Sequence, residues 1–163
     1  MSLVRYTSNV ASAATVGSKI KNIQYSYMVA EAIAVGVYNL MLYIFFSHIF
    51  RIKNLTILLL VVGFSKHFLG YAIGIHTWYC NHGAACLRTN ANPKNTYSAT
   101  AFQLYRSSIL EALAELVIGI LLSIILTNRY ALFFTIGFLL HIVAEYAGIH
   151  KQFCRSNCEK NTQ

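Results

Sequence analysis

The sequence predicts an all-α membrane protein with four transmembrane helices, arranged as two tandem, duplicated helical hairpins. Three observations support this fold class. The chain has 163 residues, of which 56% are hydrophobic and only 11% are charged, a balance that is unusual for a soluble domain. Its apolar residues form four long runs, and a motif of eighteen residues occurs twice. A polytopic helical membrane protein accounts for all three observations.

The four apolar runs lie near residues 25–50, 55–75, 109–126 and 130–149. Each run approaches or exceeds the roughly 20 residues that a helix needs to cross about 30 Å of hydrocarbon. A helix forms its backbone hydrogen bonds within one segment, whereas lipid offers the backbone no hydrogen-bonding partners. The chain therefore divides into a basic, interfacial N-terminal segment at 1–24, transmembrane hairpin 1 at 25–76, a loop at 77–106, transmembrane hairpin 2 at 107–150 and a polar, cysteine-containing tail at 151–163.

The repeated motif occupies residues 63–80 and 137–154 and reads G-F-x-x-H-x6-G-I-H-x-x-[YF]-C in both copies. Seven of its eighteen positions are identical, which indicates an internal duplication. Because the second copy begins two spans after the first, both copies point the same way through the bilayer. We expect the pseudo-symmetry axis to lie along the membrane normal. A shorter match, Glu-Ala-x-Ala beginning at Glu31 and at Glu111, extends the similarity to the first helix of each hairpin.

Small residues in the two copies recur at helical spacing and predict a helix-packing seam. The seam comprises Gly63, Gly70, Gly74, Gly137, Ala144 and Gly148. Small residues allow helices to approach closely and to pack by van der Waals contact. We therefore expect the second and fourth spans to cross at this seam, which would bring His67 and His141 close together.

Ionisable residues inside the predicted spans form a polar layer in one half of the membrane. Its members are Glu31, Glu111, Glu115, Glu145, His67 and His141, and Lys66 lies next to it. Each such group costs about 3 kcal/mol or more on insertion scales, so these side chains should face the bundle interior. The first interpretation is structural hydrogen bonding between helices. The alternatives are a proton or cation pathway, a metal site, and a haem held between His67 and His141.

Two further histidines, His76 and His150, end the repeated Gly-Ile-His triplets. They stand nine residues after His67 and His141, and nine residues at 100° each turn a side chain to the opposite side of a helix. We therefore expect them at the membrane interface, as neighbours of aromatic residues or as helix caps. No nucleophile elbow, phosphate-binding loop or zinc-protease motif occurs, so no catalytic residue is predicted.

Four cysteines lie on the side of the membrane that carries both termini. They are Cys80, Cys86, Cys154 and Cys158, and they are candidates for disulfides or for a zinc site with nearby histidines, with free thiols as a third reading. Disulfides indicate an oxidising compartment, whereas the charge distribution places this side inside. An organellar membrane and the internal membrane of a large DNA virus are two locations in which both signals can hold.

The net charge of +8 is concentrated on the side of the membrane that bears the termini. The basic residues there are Arg5, Lys19, Lys21, Arg88, Lys94, Arg106, Lys151, Arg155 and Lys160, against Arg51, Lys53 and Arg129 on the other side. The positive-inside rule and attraction to anionic headgroups explain this asymmetry. Nothing in the sequence indicates nucleic-acid binding.

These features predict a non-enzymatic structural or scaffold component of a larger membrane assembly. The expected partners are the lipid bilayer, proteins that dock on the basic, cysteine-containing face, and further copies of the chain. No cofactor is expected, although zinc or haem would fit the side chains present. The first alternative is a small transporter or a proton- or metal-handling membrane protein that uses the Glu/His layer. The second is a membrane redox subunit with a bis-histidine haem.

Overall fold

The computed structural model describes residues 25–82, 92–93, 101–150 and 158–159, so the predicted interfacial segment at 1–24 lies outside the described residues. Five helices lie wholly within these ranges: α1 (Tyr25–Ile49), α2 (Leu55–Ala72), α3 (Ile75–His82), α4 (Ala101–Ser123) and α5 (Arg129–Tyr146). The last turn of α1, Phe45–Ile49, is π-helical. Two short strands, β1 (Asn92–Pro93) and β2 (Cys158–Glu159), pair antiparallel and bring part of the predicted loop to the tail.

Three of these helices, α1, α2 and α5, are long and apolar enough to cross a membrane by length and composition. The prediction of an all-helical membrane protein is confirmed at this level. Helix α4 is as long, with 23 residues, but any stretch of 18 residues within it contains Arg106, Glu111 and Glu115. Its crossing of the membrane and the internal duplication stay predictions.

The two tight turns between helices lie at the same end of the bundle. Asn54 caps α2 by accepting from the backbone N–H of Ile57, and Asn128 caps α5 in the same way. Asparagine is among the preferred N-cap residues because its side-chain oxygen satisfies an unpaired helical N–H. Arg129 Nη1 donates to the backbone oxygen of Lys53 over 2.9 Å. The two hairpins are therefore connected directly at their turns.

The apolar core lies between α1, α2 and α5. Its buried members are Leu42, Tyr43, Leu58, Leu59, Val62, Leu132, Phe133 and Ile136. Tyr43 stacks on Phe133 with ring centroids 4.3 Å apart. The outward faces are also apolar, with Met41 61% exposed and Ile124 and Ile125 each 78% exposed. Exposed apolar area on this scale is what a lipid-facing surface requires.

Two glycines of the predicted seam form close helix contacts, but with partners that differ from the expected ones. A Cβ atom on Gly63 would lie 2.8 Å from Cα of Ala112 in α4, and a Cβ atom on Gly137 would lie 2.7 Å from Cβ of Asn39 in α1. The small-residue face of α2 is therefore turned toward α4, and that of α5 toward α1. Each face therefore packs against the first helix of the other hairpin.

The remaining seam positions have other roles. A Cβ atom on Gly70 would be 3.4 Å from a ring nitrogen of His76, and Ala144 is half-buried. Gly74 and Gly148 have positive φ angles of 80° and 71°, and nothing in the described residues approaches within 4 Å of a Cβ built there. Their inclusion in a packing seam was wrong, because they are turn residues that end α2 and α5.

Candidate functional site

The turns at Gly74 and Gly148 determine where four histidines lie. A left-handed backbone conformation after a helix is favourable for glycine, which has no Cβ. The chain resumes a helical path at Ile75 and Ile149, and each following histidine folds back onto the bundle. The ring centroids of His67 and His76 are 4.4 Å apart, and those of His141 and His150 are 4.7 Å apart.

The expectation that His76 and His150 point away from His67 and His141 was therefore wrong. That expectation assumed an unbroken helix through nine residues, whereas the positive φ angle of each glycine redirects the chain. The same histidine contact occurs in both copies of the motif. Each histidine of the haem hypothesis, His67 or His141, lies against the second histidine of its own copy.

A buried ion network forms the first polar group of the bundle. Lys66 Nζ lies 2.5 Å from Glu111 Oε1 and 3.3 Å from Glu115 Oε2. Asn39 Nδ2 donates to Glu115 Oε1 over 2.9 Å and to the backbone oxygen of Phe133 over 2.7 Å. Lys66 is 8% exposed, and Asn39 and Glu115 are fully buried. Four side chains and one carbonyl thus connect α1, α2, α4 and α5.

Charge pairing explains how this network exists in an apolar bundle. Burying an isolated ammonium or carboxylate is very unfavourable, and breaking a buried pair leaves an uncompensated charge. Lys66 supplies one cation to two carboxylates. Asn39 was not predicted as a member of this network. It follows Glu31 by eight positions and therefore lies near the same face of α1, and this spacing is the feature of the sequence that indicates its inward position.

The second polar group lies where α1, α3 and the end of α5 meet, and contains three members of the predicted layer. His141 Nε2 is 3.6 Å from Glu31 Oε2, and His150 Nδ1 is 3.1 Å from Glu145 Oε1. The hydroxyl of Tyr79 donates to Glu145 Oε1 and lies 3.1 Å from His150 Nδ1. His141 and Glu145 are each 5% exposed. Tyr79 was not predicted as part of this site, and His150 was predicted to lie at the membrane interface.

The six predicted layer residues take part in different local contacts. Glu111 and Glu115 pair with Lys66, and Glu31, Glu145 and His141 belong to the second group. His67 packs against His76.

The candidate cysteines are described only in part. Cys80, in α3, is 1% exposed. Cys158 lies in β2, paired with Pro93, while Cys86 and Cys154 lie outside the described residues. The pairing of the four cysteines, and the choice between disulfides and zinc for the set, stay predictions.

The stability of the α3 region is expected to depend on pH through His76. Burial, reinforced by His67 and His150 and opposed by Glu111, lowers the pKa of His76 to about 3. An unfolded imidazole has a pKa of about 6.5, so between these values the unfolded chain binds the proton. The contribution of neutral His76 is therefore complete above about pH 6.5 and is lost progressively on acidification.

Thermal unfolding of the wild type and of His76→Gln, followed from about pH 8 to about pH 4, checks this prediction. We expect the melting temperature of the wild type to fall more steeply below about pH 6.5 than that of the variant. Parallel curves for the two proteins would show that His76 does not carry the effect.

No protein-family model, curated protein or solved structure matches the chain.

Proposed function

We propose that this protein is a non-enzymatic structural anchor of a membrane assembly. Its four long helices form a bundle in the membrane, and its basic, cysteine-containing face docks a partner protein. The observation that carries the proposal is the buried network of Lys66, Glu111, Glu115 and Asn39, which ties all four long helices together. Such a brace fits a protein whose task is to keep a fixed shape.

Helix α4 is the fourth membrane span in this proposal. Its ionisable side chains Glu111 and Glu115 share the cation of Lys66, so neither carboxylate lies without a basic partner inside the protein. Its outward side chains are large and apolar: Leu110, Leu113, Val117, Ile120 and Leu121 are each at least 46% exposed. This arrangement favours a lipid-facing exterior and a polar interior, as expected for a charged helix within a membrane bundle.

The ion network is buried and its carboxylates are paired, which favours a structural role over ion conduction. A conducting pathway needs carboxylates that exchange protons or ions with water, whereas Glu115 is fully buried and each of its oxygens has a partner. The groove between α2 and α4 is lined by Leu60, Val61, Phe64, Ser65, Ile109, Ala112 and Leu113. This lining is almost entirely apolar, which suits lipid chains better than ions.

The docking face is the side that carries the termini, the segment at 77–106 and the tail. Most of the chain's basic residues belong to these segments, and the pairing of β1 with β2 joins the central segment to the tail. Disulfides among the cysteines would fix this face. The positive-inside rule places it in the cytoplasm or an equivalent space, and a viral internal membrane or an organellar membrane remains the predicted location.

Charge reversal on the docking face is expected to release the protein from its assembly. We predict that Arg88→Glu combined with Lys94→Glu reduces the fraction of this protein that co-migrates with the native membrane complex about tenfold. This corresponds to a loss of about 1.4 kcal/mol in binding free energy, because the introduced negative charges would repel a partner that binds the basic face. Native gel electrophoresis of gently solubilised membranes measures this. The matched control is Lys53→Glu, an exposed lysine at the opposite end of the bundle.

Two results would count against the proposal. One is co-migration that persists in the double variant. The other is wild-type protein that migrates alone at the size of a single chain, which would remove the partner that the proposal requires.

A further inference from the structure

The polar group at the end of α5 has the composition and geometry of a metal site. His141, Glu145 and His150 place one ligand atom each within 4.8 Å of one another. His141 and Glu145 stand four positions apart in the sequence and therefore share one face of α5. His150 joins them only because the turn at Gly148 folds the chain back. From this cluster we propose that the protein binds one divalent transition-metal ion, with zinc as the best fit.

The first helix offers a candidate for a fourth ligand. Glu31 lies outside the three-residue cluster, but its Oε2 is 3.6 Å from His141 Nε2, so α1 brings a carboxylate next to the cluster. Two imidazoles and two carboxylates make up the full set, and this mixture suits zinc and neighbouring first-row ions. The two carboxylates would balance the two positive charges of the ion.

Two distances between pairs of these side chains are close to those of tetrahedral coordination. Metal–ligand bonds of about 2.0–2.1 Å place tetrahedral ligand atoms roughly 3.3 Å apart. The pair His150 Nδ1 and Glu145 Oε1 is separated by 3.1 Å, and the pair His141 Nε2 and Glu31 Oε2 by 3.6 Å. Since the ligand atoms of the three-residue cluster all lie within 4.8 Å of one another, side-chain rotations would bring these three to one ion, and Glu31 would complete the set by moving toward it.

An unsatisfied buried nitrogen gives an independent indication of a ligand. His141 is 5% exposed, and its Nε2 atom has no hydrogen-bond partner among the described residues. Buried polar atoms are almost always hydrogen-bonded, so an exception calls for a ligand or ion. A metal ion would satisfy this nitrogen directly.

Tyr79 is the positioning residue of the site. Its hydroxyl donates to Glu145 Oε1 and lies near His150 Nδ1, and its ring meets that of His141 edge to face at 5.8 Å. Hydrogen bonds from outer residues orient metal ligands and tune their affinity. Tyr79 belongs to the first motif copy, so the site joins the two hairpins.

The first copy of the motif supplies an internal comparison. Its positions equivalent to His141, Glu145 and His150 are His67, Tyr71 and His76, so a tyrosine replaces the carboxylate. The first copy also has Lys66 where the second has Leu140. The ammonium of Lys66 already pairs with the two nearby glutamates of α4, whereas Glu31 and Glu145 lie beside histidines. We therefore place the metal in the second copy alone.

Metal analysis of the full-length protein in nanodiscs tests the proposal. After treatment with a chelator and re-addition of zinc, we expect one zinc ion per chain by elemental analysis. Calorimetric titration of Zn²⁺ should show at least about tenfold weaker binding in Glu145→Gln and in His150→Gln. His150 is partly exposed, so its variant should fold even where a fully buried substitution does not.

Two control variants and a metal substitution distinguish this site from the histidines of the first copy and from the cysteines. The variants His67→Gln and His76→Gln should retain one ion with the affinity of the wild type. Cobalt substitution distinguishes the ligand types, since a thiolate-to-cobalt charge-transfer band would assign the metal to the cysteines and overturn the proposal. A wild-type protein that takes up no zinc, or zinc binding that Glu145→Gln and His150→Gln leave unchanged, would also overturn it.

Discussion

Replacing Lys66 with methionine is expected to destabilise the protein by about 3–5 kcal/mol. Methionine has a similar length but no charge, so Glu111 and the fully buried Glu115 would lose their shared cation. Removing one partner of a buried ion pair leaves an uncompensated charge in an apolar environment, which is the source of the penalty. Unfolding of the detergent-solubilised protein, followed by circular dichroism against denaturant, measures the free energy of unfolding.

Two further variants show whether the lost charge causes this effect. Lys53→Met removes an exposed lysine and should change the stability by about 0.5 kcal/mol or less. Combining Lys66→Met with Glu111→Gln and Glu115→Gln removes all three charges, and we expect this triple variant to recover much of the loss. Lys66 does not stabilise the bundle through its charge if Lys66→Met is as stable as Lys53→Met, or if the triple variant is less stable than Lys66→Met alone.

The second large effect is expected at the contact between α2 and α4. A Cβ atom on Gly63 would lie 2.8 Å from Cα of Ala112 and 2.9 Å from Cβ of Glu115. These neighbours belong to or adjoin the backbone of α4, so the helices must separate to admit a methyl group. We predict that Gly63→Ala destabilises the bundle by about 1–3 kcal/mol, the usual cost of overpacking. Thermal unfolding in the same detergent provides the measurement.

Gly70 supplies the matched control on the same helix. A Cβ atom there would be 3.4 Å from the nearest atom, a ring nitrogen of His76, which is an ordinary contact distance. Gly70→Ala should therefore be neutral or slightly stabilising, since alanine favours helix more than glycine does. Equal melting temperatures for Gly63→Ala and Gly70→Ala would show that the α2–α4 contact is looser than the structure indicates.

The long apolar helices could be predicted closely from the sequence. The run at 25–50 corresponds to α1 at Tyr25–Ile49, and the second run begins at Leu55, as α2 does. Hydropathy succeeds there because a lipid-facing helix is apolar over most of its length. Helix α4 begins at Ala101, eight residues before the apolar run. Its first eight residues mix polar and apolar side chains, and composition alone does not distinguish such a stretch from a loop.

The candidate site was predicted less completely, for two physical reasons. The positions of His76 and His150 depend on the positive φ angles of Gly74 and Gly148, and helical periodicity carries no information about such a turn. The partners of Lys66 and Asn39 depend on which helices are neighbours, which the pattern within each helix does not determine. The inward orientation of the glutamates could be predicted without tertiary information, because an ionisable side chain that faces lipid is energetically costly.

Parallel flux and stability measurements on Glu115→Gln test the central claim that the buried network is a structural brace. The wild type and the variant would be reconstituted into liposomes that contain a pH-sensitive dye, and both would be unfolded thermally in nanodiscs. We expect no proton or cation flux above that of protein-free liposomes for either protein, and a lower melting temperature for Glu115→Gln. A wild-type flux that Glu115→Gln abolishes without any change in melting temperature would show that the network conducts ions and is not a brace.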